Sequence, residues 1–468
     1  MTRHLTLNYG ISWFGATVPD PQGSARRLPH GFDERTGLLP FAALGEIDPK
    51  VLRMDRNNFT PRLGFAWRPG FLRNTVIRSG VGMYYTDTAL IELQFAMVAP
   101  PFNTPIQANN GTFAPLPAFE LGRNIFPATP LPPLDRNFAA NLPAGAAPSL
   151  LAEDGRNPYV TQWNFSVHHT LSKDDLVELD YLGSSAHRLQ NRYDFAQCRP
   201  TRDLRCDPST RPWPRYAGLL RADFNGNSSY HALVAKYHHR ARGGLNLRFE
   251  YTWSKALNDT WESAGSTNSQ ITSCRWCDKG AASFDARQRA VISTILDVPY
   301  GHGRHFGNRA HRAADLILGG WTVTGITLFA TGVPFNISEP NRTGSPFVSH
   351  RPNRVCDGRD SRLANNLRTN GFLQFNTSCF ETSFAGFFGN AGRNILYGPG
   401  RHNWDAGVEK NFPLREATRL QFRAEMFNLF NHAQFGQPNA DIGAGANFGR
   451  VASARSPRLV QLGLKLIW

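Results

Sequence analysis

The last eleven residues, RLVQLGLKLIW from Arg458, constrain the chain most. Successive strand side chains point to opposite faces. Val460, Leu462, Leu464, Leu466 and Trp468 therefore share one face, and Gln461, Gly463 and Lys465 take the other. A soluble edge strand rarely ends this way, because it would leave an open ladder beside a bare apolar row. A strand that closes a barrel in lipid needs that row, with an aromatic at the membrane interface. The pattern predicts an all-β, antiparallel transmembrane barrel of the bacterial outer-membrane kind.

Composition agrees with this. Charged residues are 19% of the chain, and Gly and Phe are plentiful. The mean hydropathy of −0.38 excludes a bundle of membrane helices. It does not exclude a barrel, in which half of each strand is polar. The net charge of +15 is spread without a compact basic run, so nucleic acid is not an expected partner. Anionic lipopolysaccharide or an anionic solute suits that charge better. The opening MTRHLTLNYG has no secretory apolar region and reads as strand. The expectation is therefore a C-terminal barrel portion over 1–468, without signal peptide or plug. One segment, 316–335, carries no charge over a bilayer-spanning length. Its glycines, proline and threonines favour strand over helix.

Twelve segments alternate: 2–14, 59–68, 74–86, 158–170, 174–183, 228–240, 244–254, 286–298, 320–332, 402–412, 418–431 and the terminal strand. The facing of 228–240 is ambiguous. Such strands exceed ordinary sandwich strands. Eleven residues span roughly 36 Å, which tilted by about 45° gives roughly 25 Å, the height of an outer-membrane apolar band. The connections sort by parity. After even strands they are short (69–73, 171–173, 241–243, 413–417), with 299–319 the exception. After odd strands they are long (15–58, 87–157, 184–227, 255–285, 333–401, 432–456). Short periplasmic turns alternating with long extracellular loops are the outer-membrane arrangement, and they place both termini in the periplasm.

The cysteines fall pairwise in three long loops: Cys198 and Cys206, Cys274 and Cys277, Cys356 and Cys379. Pairing within each loop is the least costly scheme in an oxidising compartment. Cys274-x-x-Cys277 has a redox or zinc half-site as its alternative, without a second such motif or a nearby His pair. No GxSxG, HExxH or P-loop occurs, so no enzyme and no cofactor is expected. Gly301, Gly303 and Gly307 mark a turn after a strand and open no helix. His168–His169 and His238–His239 are strand neighbours pointing to opposite faces, so neither pair can ligate one metal. Arg419, Arg423 and Glu425 share the inward parity and can form a network, as any water-facing lumen does. A ligand site belongs in the outer loops, where Trp213, Trp261 and Trp276 can stack on a sugar or an organic chelate, or pack the loops together.

Several segments resemble one family: LTLNYGISW (5–13), NNFTPRLGFAWRPG (57–70), NPYVTQWNFSVHHTL (157–171), FEYTWSKALND (249–259), FDARQRAVISTILDVPYG (284–301), RLQFRAEMFNLFNHAQFGQP (419–438) and the closing LGLKLIW. Together they resemble the C-terminal barrel of Oar-like TonB-dependent receptors. The resemblance implies a place in a barrel of twenty-two strands and uptake of an unidentified solute. It also implies membrane insertion by the assembly machinery through the strand ending at Trp468. Coupling to TonB would run through an N-terminal region outside this chain. The other readings are an adhesive or structural surface protein, and a small ungated pore closed by pairing the first strand with the twelfth.

Overall fold

The computed structural model describes residues 4–15, 31–41, 44–46, 55–86, 148–151, 156–216, 218–241, 243–260, 269–345, 348–415 and 418–468. Twelve long strands lie among them: β1 (Leu5–Trp13), β2 (Phe59–Trp67), β3 (Thr75–Tyr85), β4 (Tyr159–Thr170), β5 (Asp175–Asp194), β6 (Leu220–Arg240), β7 (Leu245–Asn258), β8 (Gln288–Asp297), β9 (Trp321–Ala330), β10 (Arg401–Arg415), β11 (Thr418–Phe427) and β12 (Leu459–Ile467). Each pairs antiparallel with its neighbours in chain order, forming one continuous meander. Two short strands join the sheet: Ser149–Leu151 beside β6 and Gly280–Ala281 beside β7. Among the described residues no pairing joins β1 to β12, so the sheet ends in two open edges.

Register keeps one apolar face continuous across the sheet. Ile11 on β1 shares it with Leu63 on β2, which stands opposite Val81 on β3, and Val81 opposite Trp163 on β4. Further along, Leu233 faces Trp253, Phe249 faces Ile292, and Ala424 faces Leu462. The ambiguous β6 is thereby settled: Leu233, Ala235 and Tyr237 share this face. Trp163 lies across Gly183 on β5, and its indole occupies the space an added Cβ would need. Most of the face is uncovered by protein: Tyr9 is 87% and Leu464 68% exposed. An apolar patch of this extent is what a membrane-facing wall presents.

Helices are short. Arg312–Leu318 (α1) ends just before β9, and Ser361–Asn365 (α2) lies in the longest connection. No helix among the described residues is long and apolar enough to cross a membrane. The uncharged 316–335 segment divides into the end of α1 and strand β9, with Gly319 and Gly320 between them. Two strands outrun their expected ends the furthest. β5 reaches Asp194 instead of 183, and β6 begins at Leu220 instead of 228. The register shifts between His187 and Gln190, where Arg188 takes φ 55°. This is a bulge, which bends a strand and re-aims the residues beyond it. β11, conversely, stops at Phe427 because Asn428 turns to φ 52°.

The buried apolar clusters lie at the long-loop end of the wall. One gathers Leu39, Phe41, Leu150, Ala196, Tyr216 and Leu219 from two connections and the short strand beside β6. A second packs Phe335, Phe375, Phe380, Leu396 and Phe448. A third surrounds the Cys198–Cys206 bridge with Ile271 and Phe388. Each fully buried side chain of this size contributes about 1.5–3 kcal/mol. The loops thus form a folded layer with its own core.

Candidate functional site

The loop layer is cross-tied by buried polar groups that would be costly to leave unpaired. Arg393 donates to Asn258 Oδ1 at 2.6 Å and to the Asp278 carbonyl at 3.1 Å. Arg351 holds Asp278 Oδ1 at 2.7 Å, both side chains almost fully buried. Arg287 donates to Tyr397 Oη at 3.1 Å and pairs with Asp285 at 2.6 Å, while Tyr397 donates to Asp285 Oδ2 at 2.9 Å. These contacts fasten the connection after β9 to the one after β7. The disulfides Cys198–Cys206, Cys274–Cys277 and Cys356–Cys379 each close a segment within one connection.

Where this layer meets the strand ends, an open cavity of about 1010 Å³ forms. Arg289 and Phe329 line it from β8 and β9, Arg401 and His402 from β10, and Arg368, Gln374, His432 and Phe435 from the loops. Its lining residues include arginines and no carboxylate, with Glu250 approaching Arg289 at 3.9 Å from outside the lining. Arg401 lies within electrostatic reach of Arg289 and Arg455, and its Nε is buried without a hydrogen-bond partner among the described residues. The rings of His402 and His432 lie 3.6 Å apart. Burial holds the His432 pKa below the ordinary histidine value, and the neighbouring His402 and Arg368 push the same way. A cavity with several cationic groups and one unmatched guanidinium donor is suited to an anion.

The polar face of the sheet carries a second cluster. His168, Glu178 and Asp180 bring potential metal-ligand atoms within 4.8 Å of one another. Lys236 reaches in from β6, with Nζ 2.7 Å from Asp180 and 3.6 Å from Glu178. The ammonium thus sits between both carboxylates, and the geometry is that of an ion-paired network. His168 and His238 share this face, whereas His169 bonds Thr75 Oγ1 on the opposite one. Arg423 pairs with Glu425 at 2.6 Å and approaches Glu409 at 3.7 Å, also on the polar face. Arg419 is not among the partners of that pair.

Trp213 packs into the first loop core, its ring 4.5 Å from Phe32 and 5.0 Å from Phe195. Trp276 is 78% exposed beside the Cys274–Cys277 bridge. Trp261 lies outside the described residues. Neither Trp213 nor Trp276 lines the cationic cavity. The cavity itself escaped sequence reasoning because its charged residues come from positions 289, 368, 401 and 432, with no local spacing to mark them. The one available signal was the arginine-rich FDARQR segment.

Comparison with known proteins places this architecture. No curated protein matches the chain. Among solved structures, the outer membrane transporter YddB from Escherichia coli is similar, with a TM-score of 0.46, 10% identity, and coverage of 88% of this chain and 41% of that one. A mutant of the ferric enterobactin receptor PfeA from Pseudomonas aeruginosa gives a TM-score of 0.45, 9% identity, and coverage of 89% and 41%. The ferric preacinetobactin receptor BauA from Acinetobacter baumannii gives 0.40, 11%, 89% and 37%. The chain thus spans about two fifths of the length of the solved structures it matches. The profile of the outer membrane beta barrel domain matches residues 1–461, nearly the whole sequence, and the chain therefore belongs to that outer-membrane β-barrel family.

Proposed function

We propose that this chain supplies part of the wall and the outer mouth of a TonB-dependent-type transporter that captures an anionic solute. The carrying observation is the cavity in which Arg289, Arg368 and Arg401 supply positive charge beside a neutral His432, set where the folded loop layer meets a membrane-facing wall. The Oar-like segments of the sequence support the transporter type. On this reading the long-loop end faces outward and the short-turn end faces the periplasm. The open edges of β1 and β12 support a larger barrel, because unpaired strand edges are not tolerated in lipid. The wall's role is receptor and conduit, not catalyst. The energy-coupling parts would belong to the whole transporter, and the polar-face network of Lys236, Glu178 and Asp180 would line its water-filled interior.

The test is uptake by cells producing the intact receptor, with and without TonB, using a panel of anionic, neutral and cationic chelates. TonB-dependent uptake confined to anionic members, and weakened by Arg368→Gln with Arg401→Gln, is the expected result. Binding without flux would favour an adhesive surface protein. Uptake indifferent to charge would remove the role given to the cavity.

A further inference from the structure

The connection from Val298 to Gly320 breaks the rule of tight turns at the short-turn end, and its placement is informative. Lys410 stands on the apolar face of β10, opposite Trp321 on β9 and Phe422 on β11. A lysine there should be exposed to lipid, yet it is only 3% exposed. Its Nζ donates to the carbonyls of Ile317 at 3.2 Å and Gly319 at 2.5 Å, at the C-terminal end of α1. It also lies over the rings of Trp321 and Phe412. The Trp321 indole donates to the same Ile317 carbonyl at 2.8 Å. Helix C-termini favour cations, so this contact is electrostatically matched as well as geometrically close. The end of α1 is thereby pinned against the membrane-facing side of the wall.

The surface that the connection then presents is amphipathic. Leu316, Ile317 and Leu318 are all exposed, as is Phe306. Around them are the exposed arginines Arg304, Arg309 and Arg312, with three histidines. Asp315 is the sole carboxylate of 299–319, and it is engaged by the backbone N–H of His302 at 2.9 Å. A basic, aromatic- and leucine-bearing segment beside an apolar wall matches an interfacial membrane anchor.

We propose that 299–319 is such an anchor: Leu316–Leu318 and Phe306 enter the bilayer surface, and Arg304, Arg309 and Arg312 bind the headgroups of anionic phospholipids. For the choice of leaflet this rests on the orientation given under the proposed function. The lipid contact itself depends only on the membrane-facing wall.

The test reconstitutes the intact receptor containing this chain into nanodiscs of phosphatidylcholine with or without phosphatidylglycerol. An environment-sensitive dye is attached at Ile317→Cys, the native cysteines being paired. Quenching by brominated acyl chains with protection from iodide is expected. Lys410→Met should release the helix end and raise iodide quenching. Retention of phosphatidylglycerol, read by native mass spectrometry, should fall by roughly tenfold or more in the Arg304→Gln, Arg309→Gln, Arg312→Gln variant. Free access of iodide to the dye, with brominated lipid silent, would overturn the proposal. So would equal phosphatidylglycerol retention by the variant and the parent. Neither readout requires transport, so its failure is separable from failure of the transporter reading.

Discussion

Arg351 and Asp278 form a buried pair at 2.7 Å, the kind of contact whose loss is felt through the remaining partner. Arg351→Met would leave Asp278 with Ser269 Oγ as its side-chain hydrogen-bond donor. The expected cost is about 3–5 kcal/mol, because an uncompensated charge stays buried. Amide exchange over the loop layer should rise while exchange in the strands holds. His432 supports a second prediction. Its pKa is held below the ordinary value by burial and cationic neighbours. A bound anion stabilises the imidazolium, so binding takes up a proton and strengthens as pH falls. Calorimetry with sulfate, whose own charge does not change in this range, should show tighter binding at about pH 5.5 than at about pH 7.5. His432→Gln should flatten that difference. None of this was legible in the sequence: Arg351 and Asp278 meet across 73 positions, and no pattern of spacing announces such a contact.

At the scale of elements, alternation was legible wherever a strand separates lipid from a polar surface. Leu5–Trp13, Thr75–Tyr85 and Leu459–Ile467 fall within a few residues of their expected bounds. Alternation fails where that separation ends. The upper halves of β5 and β6 lie in the loop layer, where Asn191, Arg192 and Asp194 are buried as readily as apolar groups. Backbone pairing persists there without a hydrophobic period. The loop layer has its own pH response. Burial lowers the pKa of His350, whose ring stacks on Phe388. In the window just below the unfolded histidine value of about 6.5, the unfolded state binds more protons. The layer's stability is therefore present above that value and is lost as pH falls towards the folded pKa. Exchange protection near Phe388 should drop in mild acid, and the drop should be smaller in His350→Phe.

The whole molecule is an inside-out arrangement: exposed apolar strands below, a buried core in the loops above. The outer-membrane wall was readable from parity alone, since lipid demands one apolar face and no exposed polar edge. Closure was not readable. Each strand's pattern reports its two faces and says nothing about what pairs with the first and last strands. The structure leaves both edges open among the described residues, which does not favour the twelve-stranded pore. The most direct test is a distance between the edges, by pulsed electron paramagnetic resonance on the chain in its native membrane. Nitroxides at Asn8→Cys on β1 and Gly463→Cys on β12 would both sit on the polar face. A wall completed by further strands predicts a separation of many strand spacings. A separation near one spacing, about 5 Å between backbones, would mean that these twelve strands close by themselves and would contradict the account.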